Sequence, residues 1–193
     1  MAIQVWTING RKLDFEEETH TYKCDGEKVD SVTQILSKLF PNKYADINPE
    51  VLKKAGERGT QIHKAIEAYC KGFDDGSNEV KDFNFLRKHY GFVPTENELP
   101  IILDFGGKTY AGRIDLMFTM DGQTCLADIK TTSTLDKNYL GYQLNLYKLG
   151  LEQSYGYKIE GLYGIHLRDG KRKLVKIPIV SEEQLYESMK EIL

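Results

Sequence analysis

The feature that most constrains this chain is an Asp121-Gly122 dipeptide set between two apolar-rich runs, TYAGRIDLMF before it and TCLADIK after it. Asp-Gly accepts positive φ at both central positions of a type I′ turn, whose twist matches that of an antiparallel ribbon. A two-residue turn pairs Met120 with Gln123, and counting outward brings Asp115 opposite Asp128. Directly opposed residues share a face, with Cβ atoms about 4.5–5.5 Å apart. Alternation along the second strand adds Lys130 to that face, opposite Arg113. The neighbours Ile114, Leu116, Cys125, Ala127 and Ile129 are apolar, so one face is expected to pack core while the other gathers charge. Two carboxylates so placed must share a proton, take cationic partners or hold a metal. A surface cluster in which Arg113 and Lys130 neutralise both aspartates is the plainer alternative, and the hairpin alone leaves both open.

The remainder of the chain surrounds this hairpin with further strands and helices. Asn9-Gly10 and Asp25-Gly26 punctuate short apolar-polar runs in residues 1–30, which predicts a small antiparallel β unit. Ser31 can cap a helix through TQILSKLF, and Asn48-Pro49 opens a longer one over residues 48–72. On that helix Ile62, Ile66, Tyr69 and Cys70 form the apolar stripe, with Arg58, His63 and Glu67 beside it. Residues 72–80 read as a loop and 82–90 as a short helix. Strands resume at Leu99, with a Gly106-Gly107 turn. A helix from about Asn138 to Tyr155, ended by Gly156, follows the Asp121-Gly122 hairpin and carries Gln143 and Tyr147 at the edge of a stripe of Tyr139, Tyr142, Leu146 and Leu149. Residues 157–193 give a hairpin around Asp169-Gly170 and a last helix opened by the capping box Ser181 to Gln184. The fold expected is α/β, a mixed central sheet flanked by helices, in a single domain over 1–193 whose central part spans 98–156.

Charge and cysteine usage narrow the chemistry. Cys24, Cys70 and Cys125 are too few and too scattered for a four-thiolate iron–sulfur cluster, a structural zinc site or a disulfide framework. The formal charge of -3 does not announce a nucleic-acid binder, yet its distribution is uneven. Residues 161–180 carry Arg168, Lys171, Arg172, Lys173 and Lys176 against Asp169, while residues 14–30 carry seven acids against Lys23 and Lys28. Phe83, Phe85, Tyr90 and Phe92, near Arg87 and Lys88, are candidates for base stacking, though core packing is the commoner use of such residues. No apolar run long enough to cross a bilayer and no secretory leader is visible, so a cytoplasmic setting is expected.

Five stretches, RGTQIH, ENELPI, GRID, ADIKTT and YQLNLY, stand in an order and spacing that resemble the PD-(D/E)xK nuclease superfamily, specifically its RecB-type exonuclease branch in bacteria and phages. They span roughly residues 58–150, and HTYKCDGEKVDSVTQIL resembles the lead-in of phage members. The resemblance implies a restriction-endonuclease-like core and a metal-dependent DNA nuclease, in the exonuclease manner. It implies that His63, Asp115, Asp128 and the Ile129 carbonyl ligate Mg²⁺ or Mn²⁺, that Lys130 orients water and stabilises charge, and that Gln143 and Tyr147 support the lysine. Glu98, with Glu96 as the alternative, matches the upstream glutamate, and one or two ions both fit. Arg58, Lys64, Arg113, Lys171, Arg172 and Lys173 are the expected phosphate contacts, with single strands or duplex ends of DNA as substrate. A helicase, recombinase or single-strand-binding protein would be the partner for unwound DNA. The competing readings are a restriction-type endonuclease and a catalytically idle nucleic-acid-binding or inhibitory module on the same fold.

Overall fold

The computed structural model describes residues 3–193. Each dipeptide turn read above closes a hairpin in which both turn residues carry positive φ. Asn9-Gly10 joins β1 (Ile3–Ile8) to β2 (Arg11–Glu16), and Asp25-Gly26 joins β3 (Thr21–Cys24) to β4 (Glu27–Ser31). Ser31 then caps α1 (Val32–Leu39), with Gln34 completing the capping box, and Asn48 caps α2 (Pro49–Cys70). After α3 (Asn78–Tyr90) come β5 (Val93–Phe105), β6 (Lys108–Met120) and β7 (Gln123–Lys130). The chain continues through α4 (Lys137–Tyr155), β8 (Gly161–Arg168), β9 (Lys171–Ile177) and α5 (Glu182–Met189).

Two boundaries differ from the sequence reading. Helix α3 begins at Asn78 rather than near 82, because the Ser77 hydroxyl accepts the Val80 N–H and starts the helix inside the expected loop. Strand β5 begins at Val93 rather than Leu99, since its polar first half is held by pairing along β6 with a bulge between Pro94 and Glu96. The N-terminal antiparallel unit forms as expected and joins the central sheet, where β4 pairs in parallel with β6 through Asp30 to Tyr110 and Ser31 to Ala111.

All nine strands therefore belong to one mixed sheet, ordered β1-β2-β3-β4-β6-β7-β8-β9, with β5 paired to β6 as well. Both faces of its centre are covered. Met117 and Leu126 pack with Val32 and Leu36 of α1 and with Leu140, Leu144 and Leu151 of α4. Phe118, Ala127 and Ile129 pack against Ile62 and Ile66 of α2 and Phe83 and Leu86 of α3. The charged residues consequently do not own a face opposite the core, as expected from alternation alone. They occupy the end of a face whose other end is core.

That end is defined by a fork in the sheet. Strand β6 pairs with β4 at Tyr110 and Ala111 and with β7 from Leu116 to Met120, leaving the stretch from Gly112 to Asp115 between the two partners. Since β4 is parallel to β6 and β7 is antiparallel, the C-terminal ends of β4 and β7 point toward the same gap. Helix α4 lies across it, and a Cβ on Gly112 would come within 2.8 Å of the buried Tyr147 ring. Gly112→Ala is therefore expected to destabilise the protein by about 1–3 kcal/mol through overpacking. Chemical denaturation checks this, and a change within about 0.5 kcal/mol, usual for a surface substitution, would show that Tyr147 is not fixed there.

Candidate metal centre

Asp115 stands where β6 loses regular pairing on both sides. Toward β7 the register runs as counted, Met120 with Gln123 through Leu116 with Ala127, and then stops one step short of Asp115 and Asp128. The Asp115 carboxylate takes over: its Oδ2 accepts the Ile129 N–H at 2.7 Å. Toward β5, Asn97 Nδ2 donates to the Asp115 carbonyl at 3.2 Å, and Glu98 adopts φ 51°. A left-handed backbone at a non-glycine residue costs about 1–2 kcal/mol. Here it delivers the Glu98 carboxylate to the same cavity, while Glu96 is exposed outside it.

His63 reaches this point from α2. Its Nδ1 lies 3.5 Å from Asp115 Oδ1, and its Nε2 donates to the Ile129 carbonyl at 2.8 Å. Burial opposes a charged imidazole, but the carboxylates of Asp115 and Asp128 and the Ile129 carbonyl outweigh it and lift the His63 pKa to about 9. Asp128, 3% exposed, has its Oδ2 2.8 Å from Lys130 Nζ and no other donor on that buried oxygen. Burial, with Asp115 adding to it against the pull of Lys130, raises the Asp128 pKa to about 6. Asp115 titrates below the usual carboxylate range, because His63, Lys130 and the Ile129 N–H overcome its burial. Lys130 is half-buried, and although burial opposes its charge, Asp128 and Asp115 hold its pKa above that of a free lysine. Burial and Asp115 together raise Glu98.

Helix α4 supplies the lysine's second partner. Lys130 Nζ donates to Gln143 Oε1 at 2.9 Å, and Tyr147, one turn on, lines the same cavity. Both lie within the buried surface of α4, not at the edge of its stripe: Leu140, Leu144 and Leu151 line the buried side, while Tyr139, Tyr142 and Leu149 are only partly covered.

A cavity of about 710 Å³ collects His63, Lys64, Glu98, Arg113, Asp115, Asp128, Lys130, Gln143 and Tyr147. The Ile129 carbonyl faces its edge through His63. The N-terminal strands wall it with Gln4, Trp6 and Tyr22, residues with no signal in sequence because their role depends on the β4–β6 pairing. The expected opposition of Arg113 and Lys130 is not formed. Arg113 turns to Glu98, 3.3 Å from Nε to Oε2, and lies over the Phe15 ring, because β6 and β7 have separated by that point.

The other expected phosphate contacts lie elsewhere. Arg58 is tied to Glu79 at 2.7 Å, and Arg172 to Asp82 at 2.6 Å with its guanidinium over Phe85. Lys171 and Lys173 are exposed on β9, outside the cavity lining. Phe83 and Phe92 are buried, so neither is available to stack a base, while Phe85 and Tyr90 remain exposed.

The residues present fit a hard divalent cation. Ligand atoms of His63, Glu98 and Asp115 lie within 4.8 Å of one another; Asp128 lines the same cavity but is not one of that group. Carboxylate oxygens with one imidazole suit Mg²⁺ or Mn²⁺. Ligation by His63 would require its neutral form and ligation by Asp128 its ionised form, so bound protons would compete with a metal there. Since both pKa values are raised, to about 9 and about 6, Mn²⁺ affinity is expected to rise with pH across that window, up to tenfold per unit for each proton displaced. Calorimetric titration checks this; the dependence should flatten in His63→Ala, and an affinity constant from pH 6 to 9 in the wild type would contradict it.

No protein-family model and no curated protein matches this chain. Among solved structures it is similar to SSO0001, with a TM-score of 0.47 and 15% identity over 85% of this chain and 74% of that one. It is also similar to a protein of Eubacterium rectale bearing the name "Putative exonuclease", with a TM-score of 0.43 and 12% identity over 69% of this chain. The chain spans 63% of that protein's length.

Proposed function

We propose that this chain is a divalent-metal-dependent nuclease that hydrolyses phosphodiester bonds in DNA, acting in the manner of an exonuclease on single strands or duplex ends. The observation that carries the reading is the convergence of His63, Glu98, Asp115, Asp128 and a charged, half-buried Lys130 in one cavity at the fork of the sheet. Such a concentration of titratable groups with displaced pKa values in a cleft is a mark of chemistry more than of stability. An ordinary surface ion-pair cluster would leave these groups in solvent, where they contribute little and cost little.

Each residue has a defined task in this reading. His63, Asp115 and Asp128, with Glu98 beside them, would hold Mg²⁺ or Mn²⁺. When bound, such an ion lowers the pKa of a coordinated water and neutralises charge on the phosphate. Lys130 remains protonated between the carboxylates, so its work is to orient water and to meet developing negative charge; it is not the general base. Gln143 fixes the ammonium by accepting its hydrogen bond, and the buried Tyr147 lines the cavity one turn further along α4. Lys64 and Arg113 line the same cavity and would contact the DNA backbone. RecB-type chemistry is the variant of PD-(D/E)xK catalysis that a histidine on the preceding helix and a Gln-x-x-x-Tyr pair support.

The test is cleavage of end-labelled single- and double-stranded DNA with Mg²⁺, Mn²⁺ or EDTA, comparing wild type with Asp128→Ala and Lys130→Ala. Metal-dependent cleavage is expected in wild type, reduced at least about a hundredfold in both variants. Cleavage that survives EDTA or both substitutions would refute the assignment. Absence of cleavage with DNA binding retained would instead identify a binding module. Gln143→Ala is expected to lower kcat about tenfold or more with little change in KM, because it loosens a group used in the transition state. A loss confined to KM would place Gln143 in substrate binding.

A further inference from the structure

A second cavity, of about 610 Å³, lies on the other side of the metal centre and shares Thr33, Thr60, His63, Lys130 and Gln143 with the first. The two therefore adjoin at these residues. Their electrostatics differ. In the first cavity five carboxylates face Lys64, Lys71, Arg113 and Lys130, whereas the second has Asp136 alone against Lys43, Lys130 and Arg168, the last also paired with Asp169 at 2.8 Å. A polyanion entering the groove is drawn to the second side.

Lys43 is built into this wall. Its Nζ lies 3.3 Å from the centroid of the Tyr139 ring and 3.0 Å from Asp136 Oδ2, and its side chain is only 17% exposed. Lys130 Nζ lies 5.9 Å from the same ring. One aromatic ring thus spaces two ammoniums, one beside the carboxylates and one displaced along the groove. The first half of α2 also lines the cavity, with Val51 and Leu52 exposed, as do the exposed Ile47 and Tyr44, whose ring centroid lies 5.7 Å from Lys43 Nζ.

The α2 lining is kept low by glycine. Gly56 and Gly59 sit inside α2, where each costs about 0.5–1 kcal/mol relative to alanine. Packing does not demand them: a Cβ on Gly56 would meet nothing within 4 Å, and one on Gly59 only the Thr131 hydroxyl at 3.4 Å. A larger side chain at 56 would project into the cavity that Gly56 lines.

We propose that this second cavity is a subsite for one strand of DNA, which seats the phosphate next to the bond being cut on Lys43 and Arg168 and lays a base against Tyr44 and the exposed start of α2. The inference rests on the nuclease reading and names its substrate form. Base stacking on an aromatic platform and phosphate capture by lysine are the two ingredients of single-strand binding. A cavity of this volume is in the range that holds a small ligand, and it is too small for a duplex.

The experiment compares two substrates, a single-stranded oligonucleotide and bis(p-nitrophenyl) phosphate, a small diester that needs only the metal centre. In Lys43→Ala and in Gly56→Leu, the ratio of oligonucleotide to small-diester turnover is expected to fall about tenfold or more, the scale of one charge-assisted contact. Lys43→Ala should also reduce the salt slope of oligonucleotide binding by about one. Gly56→Leu favours the helix, so it tests the groove without threatening the fold. An unchanged ratio in both variants overturns the subsite, as does an equal loss on both substrates, which would show action through the metal centre. If the wild type cleaves neither substrate, the nuclease reading fails separately. Fluorescence anisotropy of labelled oligo(dT) then decides the subsite alone: weaker binding by both variants supports it, and equal binding overturns it.

Discussion

The site depends on one interaction, the Asp115 carboxylate accepting the Ile129 N–H at 2.7 Å in the place where a strand backbone would otherwise have done so. A buried backbone donor needs a partner, and leaving one unpaired costs about 1–3 kcal/mol. By meeting that need with a side chain, β6 and β7 can separate without penalty. The gap so opened lies between the ends of β4 and β7, and into it come His63 from α2, Glu98 from β5 and Gln143 from α4. Asn97 repeats the device on the other side by taking the Asp115 carbonyl.

The charges gathered there are held against a strong cost of desolvation. Replacing a buried ion pair by apolar groups is often neutral or stabilising, so their retention calls for a use. The balance within the cluster is uneven in an informative way. Asp115 is ionised and well supplied with donors, whereas Asp128 is pushed up to about 6 and keeps a buried oxygen whose one neighbour is Lys130. A further positive charge is the natural complement to that oxygen, and the His63, Glu98 and Asp115 ligand atoms converge in the cavity it lines.

Much of this was legible in the residues because it rests on local rules. Positive φ is demanded at both positions of a tight hairpin turn, so Asp121-Gly122 and its counterparts announce both turn and register. The Ser31 and Ser181 capping boxes announce helix starts in the same way. What could not be read depends on distant partners. The first half of β5, VPTENE, is polar and contains proline, and only β6 makes it a strand. The β4–β6 pairing is two residues long and has no local signal, yet it brings Trp6 and Tyr22 to the cavity. Arg113 was expected beside Lys130 from strict alternation, and alternation fails where Asp115 breaks the ladder. Lys43, in the turns between α1 and α2, becomes notable only when Tyr139 is seen beneath it.

The central claim is that the fork exists to hold a divalent cation at Asp115. The most direct measurement is an anomalous difference map from crystals grown with Mn²⁺. The account predicts a peak within coordination distance of the Asp115 and Asp128 carboxylates and of His63, with the Ile129 N–H still donating to Asp115. A map without a peak in the fork, with the Asp128–Lys130 and His63–Asp115 pairs intact, would contradict it.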